Sequence, residues 1–185
     1  MPIPSVNRLS SATEAIAIAR KPSSNRPISI RHDLRPGDVG YITYLHGILY
    51  APEQGWDHTF DAYVAIPLAE FSRSQSSRER IWIVEDGERT VGSLAIVKFS
   101  EREAQLRWLL LVPEVRGQGI GRRLVEEALD FCRDAGYSSV FLWTVNTLPI
   151  AAKLYQSEGF RNTEELTHEL WGRTVTEIKY ELRLE

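Results

Sequence analysis

The stretch "LLLVPEVRGQGIGRRLVEEALDFC", residues 109–132, decides the fold of this chain. An apolar run ends at a proline, glycines follow at alternate positions, and a charged amphipathic segment comes next. This order predicts a strand, a glycine-rich loop and a helix. Arg122–Glu126 and Arg123–Glu127 are spaced for ion pairs on the exposed side of that helix. Its buried side is predicted to carry Leu124, Val125, Ala128, Leu129, Phe131 and Cys132.

The glycines Gly117, Gly119 and Gly121 suit a loop that turns its backbone N–H groups toward one point. The helix after them adds unpaired N–H groups and the positive end of its dipole, so the junction predicts an anion site. A Cβ at these positions would obstruct the anion or forbid the φ values that the loop needs. Arg116 and Arg122 flank the glycines and are placed for charge-assisted contacts. The expected ligand is a phosphate or pyrophosphate, and the alternative is a tight turn that binds nothing.

Working outward from this stretch, the pattern predicts an α/β chain. A strand at 28–33 precedes two helical segments, for which Pro36 and Asp57 are the expected starting residues. Asp86-Gly87 predicts a hairpin, and 103–112 predicts a strand in which Leu106, Trp108 and Leu110 alternate against Arg107. A strand at 138–145, a helix from Pro149 to Gly159 and two closing strands complete the order. The fold expected is a mixed, mostly antiparallel seven-stranded sheet flanked by about four helices.

Composition restricts the classes of protein to which the chain can belong. Its 185 residues suit one domain, expected at 27–185, and the net charge of −3 argues against binding nucleic acid or an anionic membrane surface. No apolar run is long enough to span a bilayer. Cys132 is the single cysteine and is expected to be a buried structural thiol.

The first 26 residues differ from the rest of the chain. They are rich in Ser, Pro and Arg, and Glu14 is their only acidic residue. We expect a mobile or loosely docked extension. Its chemistry also resembles a transit peptide, so organellar targeting stays open beside a cytoplasmic location.

The glycine loop resembles one family in particular. Neither the Walker pattern nor the dinucleotide fingerprint fits, because no GK[ST] follows and Arg122 stands where the third fingerprint glycine would fall. The segment "RGQGIGRRL" instead resembles the R-G-x-G-[IL]-G-x-x-L signature of the GNAT N-acetyltransferase superfamily. "AAKLYQSEGF" resembles the family's A-x-x-L-Y-x-x-x-G-F segment. "LHGILYAPEQGWDHTFDAYVA" and the closing segments resemble the acetyltransferase halves of proteins fused to MarR-type regulators.

This resemblance implies acetyl transfer from acetyl-CoA, without a metal, to a primary amine. The acceptor would be a small molecule whose amine attacks directly in a ternary complex. Tyr155 would protonate the departing thiolate. The backbone of Leu110, Leu111 and Val112 would pair with the pantetheine arm and direct an N–H at the thioester carbonyl. The pyrophosphate would lie against the backbone of Arg116, Gly117, Gln118, Gly119, Ile120, Gly121 and Arg122.

At two places the sequence departs from the family pattern. Leu148 stands where the family usually has an asparagine, and Asn146 either reaches the cofactor through a longer loop or caps the next helix. Many members carry a glutamate base on the strand before the loop, but the aligned residues here are Gln105 and Arg107. His168 is a candidate base, or else a plain surface histidine.

The residues that would bind the acceptor amine are the hardest to predict from the sequence. Glu53 is the other candidate base, since an acid at the end of the first helix could hold an ammonium group. With a water chain, no dedicated base would be needed. Tyr50, Trp56, Trp108 and Trp171 are expected to form an aromatic wall. Two other functions remain open: a CoA-binding sensor or scaffold with little turnover, and the same chemistry with a bulkier acyl group. A homodimer is compatible with the family.

Overall fold

The structure is a computed structural model that describes residues 27–184. The predicted extension at 1–26 lies outside the described residues. The seven strands are β1 (Ile28–Arg31), β2 (Arg80–Asp86), β3 (Arg89–Lys98), β4 (Glu103–Leu111), β5 (Ser139–Val145), β6 (Arg161–Leu170) and β7 (Arg173–Arg183). The four α-helices are α1 (Asp38–Gln54), α2 (Thr59–Ser74), α3 (Ile120–Asp134) and α4 (Pro149–Ser157). None of these helices is long and apolar enough to cross a membrane.

All seven strands form one sheet in the order β1-β2-β3-β4-β5-β7-β6. Only β4 and β5 run parallel; every other neighbouring pair is antiparallel. The crossover α3 joins the parallel pair, as parallel strands require. The predicted mixed, mostly antiparallel seven-stranded fold is therefore confirmed.

Helices cover both faces of this sheet. Neighbouring residues of β2 point to opposite faces, and accordingly Trp82 packs in one core and Ile83 in the other. The apolar side of α3 fills the first core, including the buried thiol of Cys132, whose pKa burial raises to about 12. The second core contains the buried α2 residues Phe60, Val64, Leu68 and Phe71. The amphipathic pattern predicted for α3 is thus the pattern observed.

The predicted alternation along β4 is wrong at Trp108. Leu106 and Leu110 pack in the α3 core, whereas Trp108 packs in the α2 core. The pairings Ala95↔Arg107 and Ser93↔Leu110 show a shift of register, and Trp108 has a φ of 52°. A β-bulge inserts an extra residue into β4 here, and the side chain of Trp108 lies on the α2 side of the sheet.

Candidate active site

The site begins where β4 and β5 separate. Their ladder runs only from Glu103↔Ser139 to Gln105↔Phe141, although β4 continues to Leu111 and β5 to Val145. The facing edges beyond Gln105 are therefore not paired with each other. An extended ligand can enter such an opening as an added strand.

Of the three residues whose backbone was expected to pair with such a ligand, Leu110, Leu111 and Val112, the structure does not support Val112. The N–H of Val112 donates to Val91 O at 2.9 Å, and its carbonyl accepts the N–H of Val115 at 3.1 Å. Val112 therefore has no free N–H for a ligand. Leu110 and Leu111 remain in the separated part of β4, although Leu111 O accepts a hydrogen bond from Arg116 Nε at 2.8 Å.

The glycine loop lies directly before α3 and supplies backbone donors. Gly117 and Gly119 have φ of 75° and 79°, and Gly119 occupies the N-cap position without any side-chain cap. Within the described part of the chain, the N–H groups of 117–122 have no acceptor in the protein. Free N–H groups at the positive end of a helix form an anion site, which fits the diphosphate of a coenzyme.

The three glycines of the loop are not all required for the same physical reason. The positive φ at Gly117 and Gly119 favours glycine because a Cβ is strained in that region. Gly121 lies inside α3, and a Cβ there would meet Leu154 Cδ2 at 3.5 Å and Leu111 Cδ1 at 3.6 Å. These are ordinary van der Waals contacts. Gly121, unlike Gly117 and Gly119, is therefore not required by a positive φ, as had been expected for all three.

The arginines that flank the loop are engaged by the protein. Arg116 Nη1 lies 3.0 Å from a carboxylate oxygen of Glu53. Arg122 lies 3.6 Å from Glu158 and donates to Ser157 Oγ at 3.1 Å, so the predicted Arg122–Glu126 pair is replaced by a contact with the end of α4. The helix pair Arg123–Glu127 does form, at 2.8 Å. Both flanking arginines thus connect the loop to other elements, Arg116 to α1 and Arg122 to the end of α4.

Glu53 does not occupy the position expected for an ammonium ligand. Its carboxylate pairs with Arg116, and it is not among the residues that line the cavity. Tyr50, about one helical turn before Glu53, is the nearest residue of α1 whose side chain lines the cavity. The expected role of Glu53 is therefore not supported by its placement.

The opening continues into a cavity of about 840 Å³, its solvent-exposed mouth included. Tyr50 stacks on Trp56 with ring centroids 5.0 Å apart, and Trp56 packs on Trp171 at 4.4 Å. The predicted wall residues Tyr50, Trp56, Trp108 and Trp171 all line this one cavity. Its aromatic lining consists of Tyr50, Trp56, Phe60, Tyr63, Trp108, Trp143, Tyr155 and Trp171. An apolar or aromatic group therefore fits this space better than a long hydrated one.

Tyr155 of α4 lines the cavity and is 5% exposed. Burial raises the pKa of Tyr155 above its ordinary value, and the nearby hydroxyl of Tyr50 raises it by a smaller amount. A buried phenol of this kind remains protonated at neutral pH and can donate its proton to a developing anion.

Asn146 is exposed and does not line the cavity. Its backbone N–H donates to Thr176 O at 3.0 Å. Leu148 occupies the N-cap position of α4, which has no side-chain cap, so Asn146 is not a helix cap. Leu148 itself lines the cavity. No contact of Asn146 indicates a role at the coenzyme.

Two charged residues in the cavity were missed as site residues by the sequence analysis. Glu177 of β7 lines the cavity, and its Oε2 lies 2.7 Å from Nε2 of His168. The side chain of Glu177 is 14% exposed and that of His168 is 40% exposed, so the pair connects the cavity with the surface. Glu177 lies two residues after buried Val175, on the same face of the strand, and this alternation is the signal that could have revealed it.

Arg107 is the second charged residue of the cavity lining. Burial lowers its pKa, while Tyr63 and Glu70 act in the opposite direction. The guanidinium lies 5.1 Å from the ring centre of Trp108 and 3.4 Å from Gln105 Oε1. Among residues 27–184, no carboxylate lies within 4.0 Å of it.

A buried histidine also lines the cavity. His46 is 4% exposed, and its Nδ1 lies 2.8 Å from Ile42 O. Burial lowers its pKa to about 4, against the smaller effect of that hydrogen bond. His46 is therefore neutral at physiological pH. In the described residues, no group of three or more His, Cys, Asp or Glu side chains could hold a metal ion.

Comparison with known proteins agrees with this geometry. The profile described as the acetyltransferase (GNAT) family matches residues 39–160. Human N-acetyltransferase 8B is 31% identical over 141 residues, which cover 72% of this chain and 62% of that protein. Rat N-acetyltransferase family 8 member 3 is 35% identical over 139 residues, covering 71% of this chain and 61% of that protein. The chain thus spans less than two thirds of the length of these relatives.

Solved structures share the fold at lower identity. Spermidine N-acetyltransferase from Vibrio cholerae, in complex with CoA and spermine, superposes with a TM-score of 0.65 at 21% identity, covering 84% of this chain and 95% of that one. The Salmonella typhimurium protein yncA, with its cofactor acetyl-CoA, superposes with a TM-score of 0.66 at 17% identity, covering 85% and 94%. At such identities the likeness shows the fold alone.

Proposed function

The chain belongs to the acetyltransferase (GNAT) family, and we propose that it moves an acetyl group from acetyl-CoA to a primary amine of a small molecule by direct attack in a ternary complex. One observation carries this proposal: the free N–H groups of 117–122, in the glycine loop and the first turn of α3, lie beside the opening of the sheet that leads to Tyr155. An anion site at one end and an aromatic cavity at the other suit the two substrates of such a reaction.

The chain's own groups account for binding of the thioester substrate. The N–H groups of 117–122 would donate to the diphosphate oxygens. The edge of β4 at Leu110 and Leu111 would pair with the pantetheine arm and place the thioester next to the cavity. Holding an amine and a thioester at attack distance supplies a large part of the rate enhancement, on the order of 7–11 kcal/mol in favourable cases.

Two proton transfers accompany the reaction. The neutral amine nitrogen attacks the thioester carbonyl carbon, the carbon–sulfur bond breaks, and the amide nitrogen loses one proton. Tyr155 would donate its phenolic proton to the departing sulfur and recover one from solvent. Glu177 would accept the proton of the amine, and His168, at 2.7 Å, would pass it to the surface. Glu177 therefore takes the place of the glutamate that the family often carries on β4, where Gln105 and Arg107 stand here.

Purified protein, acetyl-CoA and a panel of primary amines test the proposal through release of the CoA thiol. Thiol release that depends on the amine, with a matching acetylated product in the mass spectrum, is the expected result. Calorimetry with acetyl-CoA separates binding from turnover. Tight binding without turnover of any amine would indicate the CoA-binding module instead, and faster transfer from propionyl-CoA would indicate a bulkier acyl donor.

A further inference from the structure

The acceptor cavity contains two opposite charges that are not paired with each other. Arg107 on β4 and Glu177 on β7 both line it, and no carboxylate, that of Glu177 included, lies within 4.0 Å of the guanidinium in the described residues. Glu177 contacts His168. Tyr63 of α2 lies close to both charges: burial raises its pKa, the charge of Glu177 raises it further and that of Arg107 lowers it.

A guanidinium in this position is incompletely satisfied by the protein. Its contacts are the ring of Trp108 and a long hydrogen bond to Gln105. Glu70, the carboxylate of α2 that acts on it electrostatically, is exposed. A partly desolvated cation without an ion pair costs free energy, and an incoming anion that pairs with it offsets that cost. The planar fork of arginine matches a carboxylate in particular.

Combining these observations, we infer that the acceptor is a small zwitterion that carries a primary amine, a carboxylate and an apolar or aromatic side chain, as an apolar amino acid does. This inference rests on the proposed acetyl transfer and specifies its substrate class. Arg107 binds the carboxylate, and the side chain packs against Trp56 and Trp171. Glu177 receives the ammonium group and takes one proton from it, which His168 passes to solvent, so that the nitrogen is neutral when it attacks and Glu177 can accept its second proton. The two charges of the acceptor thus face the two charges of the cavity.

The same charges disfavour a different class of acceptor. The Vibrio cholerae neighbour was solved with spermine, which is a polycation. In this chain a second positive charge of the acceptor would meet Arg107 rather than an acidic group. Polyamines are therefore expected to be poor acceptors, because like charges in a partly desolvated site repel each other.

Matched acceptors with and without the carboxylate test the inference. L-Phenylalanine is compared with phenethylamine, and L-leucine with isoamylamine, with spermidine as a third class. The measured quantity is kcat/KM from thiol release. We expect each amino acid to exceed its matched amine by about 100-fold, the size expected for a hydrogen-bonded charge pair. Spermidine is expected to be the slowest.

Variants of the chain assign that preference to one side chain. Arg107→Gln is expected to reduce the ratio within each matched pair to near 1, and Arg107→Lys to retain only part of it, because an ammonium lacks the bidentate fork. Arg133→Gln changes an exposed arginine of α3 and is expected to leave the ratio unchanged. Circular dichroism during thermal unfolding verifies that each variant is folded.

The outcomes separate this inference from the function on which it rests. Equal kcat/KM within the pairs, faster turnover of spermidine, or a ratio that survives Arg107→Gln would overturn the zwitterion and leave acetyl transfer standing. If acetyl-CoA binds but no amine of any class is acetylated, the proposed function fails and this inference fails with it.

Discussion

The side-chain hydroxyl of Ser93 donates a hydrogen bond of 2.8 Å to the backbone carbonyl of Trp108. Ser93 is 1% exposed, and Trp108 is the bulged residue of β4 with a φ of 52°. The contact therefore holds the bulge, which lies beyond Gln105 in the part of β4 that has separated from β5. Because the bulge also brings Trp108 into the α2 core, one hydrogen bond supports both the opening between β4 and β5 and the wall of the aromatic cavity.

Ser93→Ala is expected to lower the free energy of unfolding by about 1 kcal/mol, the usual contribution of one buried hydrogen bond. Since the bulge would be held less firmly, KM for acetyl-CoA is expected to rise. Urea unfolding and steady-state kinetics measure the two effects. Ser72→Ala, an exposed serine of α2, is the control and should change neither. An unchanged KM would show that the bulge does not depend on this contact.

Gly119→Ala and Gly121→Ala distinguish the two kinds of glycine in the loop. At Gly119 the positive φ makes alanine unfavourable by about 1–2 kcal/mol, and acetyl-CoA is expected to bind more weakly because the free N–H groups shift. At Gly121 the added methyl group makes ordinary contacts in a helix, where alanine is favoured by roughly 0.5–1 kcal/mol. Calorimetry with acetyl-CoA and urea unfolding provide both comparisons. Equal binding by wild type and Gly119→Ala would contradict an anion site at this loop.

Tyr155→Phe is expected to lower kcat by about 10²–10⁴-fold while the Kd of acetyl-CoA stays the same, because only the proton donor is lost. Since burial raises the pKa of Tyr155, activity should not decline as the pH passes the ordinary phenol value of about 10. Tyr137→Phe is a matched control: that buried hydroxyl donates to Arg78 O at 2.9 Å, outside the cavity lining. A fall in kcat for the control alone would contradict the assignment.

Glu177→Gln is expected to lower kcat/KM by about 100-fold, because the amide cannot accept the proton of the amine. His168→Gln should have a smaller effect, since Glu177 would remain beside the acceptor. Initial rates at saturating acetyl-CoA measure both. Glu169→Gln changes a carboxylate on the same strand as His168 that contacts Thr174, and its rate should match wild type. Full activity of Glu177→Gln would indicate deprotonation through water alone.

Asp38 is expected to make stability depend on pH. Burial by itself raises the pKa of Asp38, but hydrogen bonds from Arg31 at 2.7 and 2.8 Å and from Arg35 N at 2.6 Å outweigh it and hold the pKa below its usual value. A carboxyl with a lowered pKa in the folded state stabilises the protein above the unfolded-state pKa. That contribution is lost as the pH falls through the folded-state pKa.

Asp38→Asn should therefore lower the free energy of unfolding at neutral pH by about 2 kcal/mol and flatten its decline in acid. Urea unfolding from about pH 7 down to about pH 3, a range that brackets a carboxyl titration, measures the free energy of unfolding and its decline. Glu126→Gln, which changes an exposed carboxylate of α3, is the control and should retain the decline. An equally steep decline in Asp38→Asn would assign the acid sensitivity to other carboxyl groups.

Several features were readable from short stretches because their causes are local. The order of strand, glycine loop and helix in residues 109–132 follows from apolar spacing and from the φ values that glycine permits. The hairpin at Asp86-Gly87 has the same kind of local origin, with Gly87 at a φ of 64°. The alternation and helical periodicity of the remaining segments were likewise sufficient for a mixed seven-stranded sheet.

The residues that face one another in the cavity could not be read in this way. Glu53 pairs with Arg116 and Val112 with Val91, and each of these contacts joins segments that are distant in sequence. The bulge at Trp108 depends on Ser93 of the neighbouring strand.

Residue spacing in the sequence was therefore sufficient for the glycine loop and the helix after it, whereas only the packed sheet placed Arg107 and Glu177 in one cavity. The physical reason is that backbone torsions and helical periodicity act within a few residues. The position of a charge opposite another charge depends instead on the register and separation of strands that meet only when the chain has folded.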